Sequence, residues 1–196
     1  MDELWPDTEP SSASNSLNQS LYFLRREINP WHEDDLAVDY INFAGDILWL
    51  DTEIVAASSV DFLHRLRIDQ RSHDPDTILE ILSGYSGQFA PEFEYEEWAT
   101  AWRSRVHAGF LEFAHRSIRL LSRHGKLADA RDVALSAFEA DPEARDIELE
   151  LISLYWRLGA RSAARAQYAH LAAQERSDGL EPTPFEEICA IVSPSQ

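Results

Sequence analysis

The sequence is poor in basic residues. Its 196 residues contain 17 Lys and Arg against 35 Asp and Glu, which gives a formal net charge of −18 at pH 7. Tight binding to nucleic acid depends on Lys and Arg side chains that displace counterions from the phosphates. The composition therefore argues against a protein that holds DNA or RNA by bulk charge, and any nucleic-acid contact has to be local.

Cysteine is nearly absent as well. Cys189 is the sole cysteine, so the chain forms no internal disulfide, and a reducing compartment is the simplest one for it. The amino terminus lacks the basic region and the apolar run of a secretory signal, and no stretch approaches the ~18 apolar residues of a membrane span. We therefore expect a cytoplasmic protein that does not associate with a membrane.

The sequence also lacks the motifs of common catalytic sites. It contains no Gly-rich phosphate loop, no Gly-x-Ser-x-Gly elbow and no His-Glu-x-x-His pattern. His107 and His115 are eight residues apart, whereas metal-binding helices usually place two ligands four residues apart. We expect that the protein is not an enzyme and that it needs no cofactor or metal.

Helical periodicity dominates from Ser58 onward. No convincing strand is present, and Gly, Pro or Asp residues mark the breaks between helices. Trp98 and Trp102, four residues apart, are expected to anchor the core. The predicted helices are Ser59 to Asp69, Pro75 to Ser83, Glu94 to Ser122, Leu127 to Ala140, Glu143 to Leu158, Arg161 to Glu175 and Pro184 to Ile191.

An internal repeat organises these helices. A 34-residue period is the spacing of tetratricopeptide units, each built from two antiparallel helices. Small residues are needed at the turn and at the close contact between the two helices of a unit. We therefore predict stacked helical hairpins with Gly125 at one turn. The pairs that share the 34-residue spacing are Gly125 and Gly159, Ala130 and Ala164, Leu120 and Leu154, and Ile118 and Ile152.

The first fifty residues have a different pattern. Leucine and isoleucine recur at helical spacing from Ala13 to Ile28, and Asn29-Pro30 ends this amphipathic helix. Residues 37–42 and 47–50 alternate as strands do, with turn residues between them at 43–46. A helix followed by a hairpin is the latter half of a winged helix.

Short motifs along nearly the whole chain carry a resemblance to a known family. Leu4-Trp5-Pro6-Asp7, Ala13 to Asn15 and Leu24-Arg25-Arg26 look like the end of the DNA-binding domain in regulators of the Streptomyces antibiotic regulatory protein type. The rest of the chain resembles the bacterial transcriptional activator domain of the same family. The motifs of this second part are Asp61-Phe62, Tyr85-Ser86-Gly87, Phe89-Ala90-Pro91, Trp98 with Arg103, Gly125 to Ala130, Asp141-Pro142, Leu154-Tyr155 with Gly159, Tyr168, and Leu180-Glu181-Pro182.

The resemblance implies a mainly helical protein of two parts. Residues 1–56 would be a partial winged-helix segment, because Met1 falls near the end of that domain's second helix, and residues 57–192 would be the tetratricopeptide-like activator domain. The winged helix would bind promoter DNA, and the helical domain would aid dimerisation or contact RNA polymerase. One departure lies in the wing, where Ala44-Gly45-Asp46-Ile47 replaces the usual Gly-Tyr pair.

Two sets of residues are candidate sites. In the family's arrangement the first helix would lie in the major groove, with its polar side chains toward bases and its arginines near phosphate. The alternative is an ordinary solvated helix face, and the balance of −10 over residues 1–60 favours this alternative. The candidate DNA-binding residues are Asn15, Ser16, Gln19, Ser20, Phe23, Arg25 and Arg26.

The second set is a basic strip within an otherwise acidic chain. It comprises Arg116, Arg119, Arg123 and Lys126, at spacings of three and four. One interpretation is that these cations complement the negative end of a helix. The other is a docking site for an acidic peptide or for another part of the domain. If DNA binding has been lost, the chain would be a module that acts through protein contacts alone.

Overall fold

The computed structural model describes residues 7–28, 40–44, 47–68 and 74–191. The chain divides into two compact units, residues 1–57 and residues 58–196. The first contains helix α1 (Pro10–Ile28) and strands β1 (Ile41–Ala44) and β2 (Ile47–Leu50). The second contains helices α2 (Ser58–Ile68), α3 (Pro75–Leu82), α4 (Glu97–Arg123), α5 (Leu127–Ala140), α6 (Arg145–Arg157), α7 (Arg161–Ser177) and α8 (Phe185–Ile191), with a 3-10 turn at Pro91–Phe93 before α4. The mainly helical class predicted from the sequence is confirmed.

The first strand of the hairpin in the first unit extends further toward the turn than predicted. The strands pair antiparallel, with Phe43 opposite Leu48 and Ala44 opposite Ile47. Residues 43 and 44 therefore belong to the strand and not to the turn, because their apolar side chains pair with apolar residues across the ladder. Positions 37–39, 45 and 46, which the prediction also covered, lie outside the described residues.

The two predicted repeats are the hairpins α4–α5 and α6–α7. Gly125 and Gly159 follow the first helix of each hairpin with φ of 75° and 77°. At both turns the next residue's N–H donates back into the helix, from Lys126 to the Leu121 oxygen at 3.0 Å and from Ala160 to the Tyr155 oxygen at 2.9 Å. Glycine reaches this left-handed conformation without steric cost, which is why it recurs at this position.

Close helix packing depends on small residues in the second unit. Ala130 and Ala164 are fully buried at the matching positions of the two hairpins. At Gly109 in α4, an added Cβ would lie 3.1 Å from a methyl of Leu66 and 3.2 Å from one of Leu63. Gly109 therefore allows α2 to approach α4.

The main core lies between helices α2 to α6. Burying one large apolar side chain contributes roughly 1.5–3 kcal/mol, so this cluster supplies most of the driving force for folding. A smaller cluster joins α6, α7 and α8 through Leu149, Ile152, Leu171 and Ile188. The largest buried side chains of the main core are Phe110, Phe113, Ile78, Ile81, Leu82, Ile118, Leu121, Ile147, Leu151 and Leu154.

The two tryptophans of α4 have different environments. Trp102 packs against the main core, and its indole N–H donates to the Ser59 hydroxyl at 3.0 Å. Trp98 is 58% exposed and contacts Phe93, with ring centroids 5.3 Å apart. The prediction that both anchor the core is wrong for Trp98, because the chain before α4 forms an exposed 3-10 turn instead of a covering layer.

Helix α4 begins three residues later than the sequence indicates. The Arg103 guanidinium donates to the backbone oxygens of Phe89, Ala90, Phe93 and Glu94 at 2.9–3.2 Å. These carbonyls are therefore engaged by a side chain, and a regular helix starts only at Glu97.

None of the helices in the described ranges is long and apolar enough to cross a membrane.

Candidate partner-binding groove

A groove of about 650 Å³ runs between α4 and α6. These are the first helices of the two hairpins, so stacking of the repeats places them side by side on one face of the unit. One wall comes from the second half of α4 and the other from the first turns of α6. The residues that line the groove are Glu112, His115, Arg116, Arg119, Leu120, Arg123, Asp146, Leu149 and Glu150.

Three of the four predicted partner-binding cations lie in this groove. Arg116, Arg119 and Arg123 share one face of α4, as spacings of three and four require. Arg116 approaches Glu112 at 3.9 Å, a long contact between partly exposed groups that contributes little. Arg119 and Arg123 are exposed and Arg116 is half-buried, so parts of all three side chains border the groove.

Lys126 is not among the residues that line the groove. It follows the Gly125 turn and lies near the amino end of α3, where its charge acts on Asp74. The pKa of the Asp74 carboxyl is lowered mainly by hydrogen bonds from the Thr77 side chain and backbone, with a smaller contribution from Lys126. The structure therefore separates Lys126 from the other three cations.

A buried carboxylate forms part of the wall opposite the arginines. Glu150 is 6% exposed, and one of its oxygens, Oε1, lies 3.5 Å from Nε of Arg119. The other, Oε2, lies 3.3 Å from Nδ1 of His115 but has no partner in hydrogen-bonding geometry. An unsatisfied buried acceptor costs about 1–3 kcal/mol, so this oxygen is a source of local instability where α6 meets α4.

A second cavity of about 330 Å³ continues the groove along α4 and shares His115 and Asp146 with it. His107 and Asp141 line it, and Nε2 of His107 lies 3.5 Å from Asp141. Nδ1 of the same histidine lies 3.0 Å from the Tyr85 hydroxyl. Burial, together with the Asp141 charge, raises the pKa of Tyr85. This chain of contacts fixes α3 and the end of α5 against α4.

Sequence reasoning did not identify the buried acids. Glu148 accepts from the Gln167 amide at 2.7 Å and lies 2.8 Å from Nδ1 of His170. Glu148 and Glu150 belong to a stretch of α6, residues 147–154, in which every residue is buried. The local pattern hides their burial, because the acids alternate with apolar residues as in a half-exposed strand. The one signal for burial was the position of α6 between two other predicted helices.

Six of the seven candidate DNA-binding residues share one side of α1. At about 100° per residue they fall within an arc of about 140°. Of these six, Ser16 is half-buried and the others are exposed. Arg25 lies on another side, where Nη2 donates to the Ile41 backbone oxygen at 2.6 Å. The six are Asn15, Ser16, Gln19, Ser20, Phe23 and Arg26.

The described residues contain no group of three His, Cys, Asp or Glu side chains placed to hold a metal ion. Burial raises the pKa of the Cys189 thiol, which disfavours its reactive thiolate form.

The stacked hairpins define a helical repeat unit of the tetratricopeptide type, in which each repeat packs on its neighbour. Comparison with protein families matches residues 64–185, more than half of the chain, to the bacterial transcriptional activator domain. The chain belongs to this family, which comprises transcription regulators and not enzymes. No curated protein and no solved structure gives a significant match.

Proposed function

We propose that the chain is an activator-type transcriptional regulator that works by recruitment. The helical unit would hold a protein partner, such as RNA polymerase, while α1 contacts promoter DNA. The proposal rests mainly on the family match, which includes the whole of α4 to α7. Two of these helices, α4 and α6, line the groove. Linking a partner to a promoter raises its effective concentration there without any catalytic step.

The arginines of α4 favour a partner segment that carries acidic side chains along the side that faces α4. Arg116, Arg119 and Arg123 offer donors suited to carboxylates. Leu120 and Leu149 supply apolar contact area between the charged walls.

A transcription assay tests this part of the proposal. The full chain is fused to an unrelated DNA-binding domain and placed upstream of a reporter promoter. We expect activation by the wild-type chain and a loss of about tenfold in the variant that combines Arg116→Glu and Arg123→Glu. The matched control combines Arg165→Glu and Arg176→Glu on the exposed side of α7, which makes the same change in net charge. Equal activity of the two variants would contradict recruitment through the groove.

DNA contact by α1 is supported by its exposed polar face. Asn15 and Gln19 are one turn apart and carry amides suited to paired hydrogen bonds with adenine. Arg26 lies on the same side and suits phosphate. The net charge of −10 over residues 1–60 opposes this contact, and few basic side chains are present to displace counterions, so we expect DNA binding that is weak and only shallowly salt-dependent.

A gel-shift titration at several salt concentrations separates the two forms of the proposal. A regulator that contacts DNA should shift duplex at low salt, and the combined change of Asn15→Ala and Gln19→Ala should weaken the shift by about tenfold. The control, Asn18→Ala, changes an amide on another side of α1. If no duplex is bound at low salt, the chain is an interaction module that does not bind DNA, and another protein has to bring it to a promoter.

A further inference from the structure

The segment that leads into α4 exposes three aromatic side chains. Phe93 is 44% exposed, Tyr95 is 91% exposed and Trp98 is 58% exposed. The rings of Phe93 and Trp98 contact each other, with centroids 5.3 Å apart, so two of the three form one apolar surface. We call these three residues the aromatic patch. Exposed aromatic side chains that lie together are typical of surfaces that bind other proteins.

Four exposed glutamates alternate with the aromatic patch along the chain: Glu92, Glu94, Glu96 and Glu97. The positive end of α4 favours acidic residues in its first turn only, and Glu92 and Glu94 precede the helix. Within the described part of the chain, none of the four carboxylates forms an ion pair, and Arg103 donates to backbone oxygens of the segment instead. The aromatic patch therefore lies in a negatively charged surface that is complementary to a basic partner.

A cavity of about 320 Å³ adjoins the aromatic patch, between the start of α2, the loop of residues 84–92 and α4. Glu92 is the one charged side chain among the described residues that line it. Phe62, Tyr85 and Phe89 contribute aromatic surface, and the Ser86 hydroxyl can accept a hydrogen bond. The volume is near the lower end of the range for ligand pockets, about 300–1,000 Å³, so the cavity suits one long side chain. An apolar stem with a cationic head, as in lysine or arginine, matches this lining.

We propose that the cavity and the aromatic patch together bind a basic segment of a protein partner. One lysine or arginine side chain of the segment enters the cavity, where its stem packs on the aromatic lining and its charge meets Glu92. A neighbouring cation of the segment lies over the exposed ring of Trp98. Trp98 is about 30 Å from Arg119 along α4, so this site is separate from the groove and does not depend on the proposed function.

Isothermal titration calorimetry of the full chain with a short synthetic peptide of alternating Arg and Leu tests the proposal. We expect binding that Glu92→Gln weakens about tenfold and Trp98→Ala about threefold. Both side chains are exposed, so neither change should disturb folding. The matched control Glu139→Gln removes the same charge from the exposed side of α5 and should leave binding unchanged. Absence of binding, equal weakening by E92Q and E139Q, or equal binding of a peptide of alternating Glu and Leu would overturn the proposal.

Amide chemical shifts of the isotope-labelled full chain locate the bound peptide. We expect the Arg and Leu peptide to move the signals of Ser58 and Ser86, which line the cavity, and to leave those of Leu120 and Leu149 in the groove unchanged. Shifts confined to residues 1–57 or to the groove would mean that the peptide follows negative charge elsewhere on the chain, which contradicts the proposal. The transcription assay of the groove variant is a separate measurement, so this site and recruitment can fail independently.

Discussion

Buried glutamates connect neighbouring helices in the second unit. Among the described residues three glutamates are buried, and each is bound by side chains from another element. Glu150 faces α4 and Glu148 faces α7, so the two acids tie α6 to the helices on both of its sides. A buried carboxylate is stable only with such partners, and removal of one partner leaves the other uncompensated. The third, Glu175, is the most completely bonded.

We predict that Glu175 stabilises the fold at neutral pH. Burial alone would raise the pKa of Glu175, but hydrogen bonds from Arg145 and Thr183 outweigh burial and lower it. Because the folded-state pKa lies below the unfolded value, this stabilisation is present above the unfolded pKa and is lost as the pH falls through the folded pKa. Glu175→Gln should lower the free energy of unfolding at neutral pH by about 2 kcal/mol.

Urea titrations at neutral and acidic pH check this prediction. The difference between the wild-type chain and the E175Q variant should shrink as the pH falls. Glu139→Gln, on the exposed side of α5, serves as the control and should have little effect at either pH. A difference for E175Q that is independent of pH would show that the charge of Glu175 is not the cause.

At the scale of elements, the sequence predicted the regular parts well and the irregular parts poorly. The bounds predicted for α5 match the structure, and the glycine turns were located from the 34-residue period. Local periodicity and turn chemistry determine these features. The start of α4 depends instead on Arg103, which binds carbonyls 9 to 14 residues earlier in the chain. No local pattern reveals a contact of that kind.

We predict that Arg103 holds the segment from Phe89 to Glu94 in place. Lysine retains the charge but cannot reach four carbonyls at once, because it lacks the planar fork of the guanidinium. Arg103→Lys should therefore destabilise the second unit by about 2 kcal/mol and speed amide exchange across this segment. Hydrogen exchange of the full chain measures both effects, with Arg165→Lys as the control. Unchanged exchange in the segment would contradict the assigned role.

At the scale of the whole molecule, the charge is unevenly distributed along the chain. The net charge of −18 comprises −10 over residues 1–60 and −8 over the remaining 136 residues. Fifteen of the 17 Lys and Arg lie after residue 60, and spacing alone located the three arginines of α4 that line the groove. It could not place Glu150 or Leu149 opposite them, because that wall depends on how the two hairpins stack.

The most direct test of the account measures binding of purified bacterial RNA polymerase to the immobilised full chain. The wild-type chain should bind, and the affinity should fall at least about tenfold when Arg116→Glu and Arg123→Glu are combined, as expected for loss of charge-assisted contacts. The control variant with Arg165→Glu and Arg176→Glu should bind as the wild type does. Equal binding by all three chains, or binding by none, would contradict recruitment of polymerase through the groove between α4 and α6.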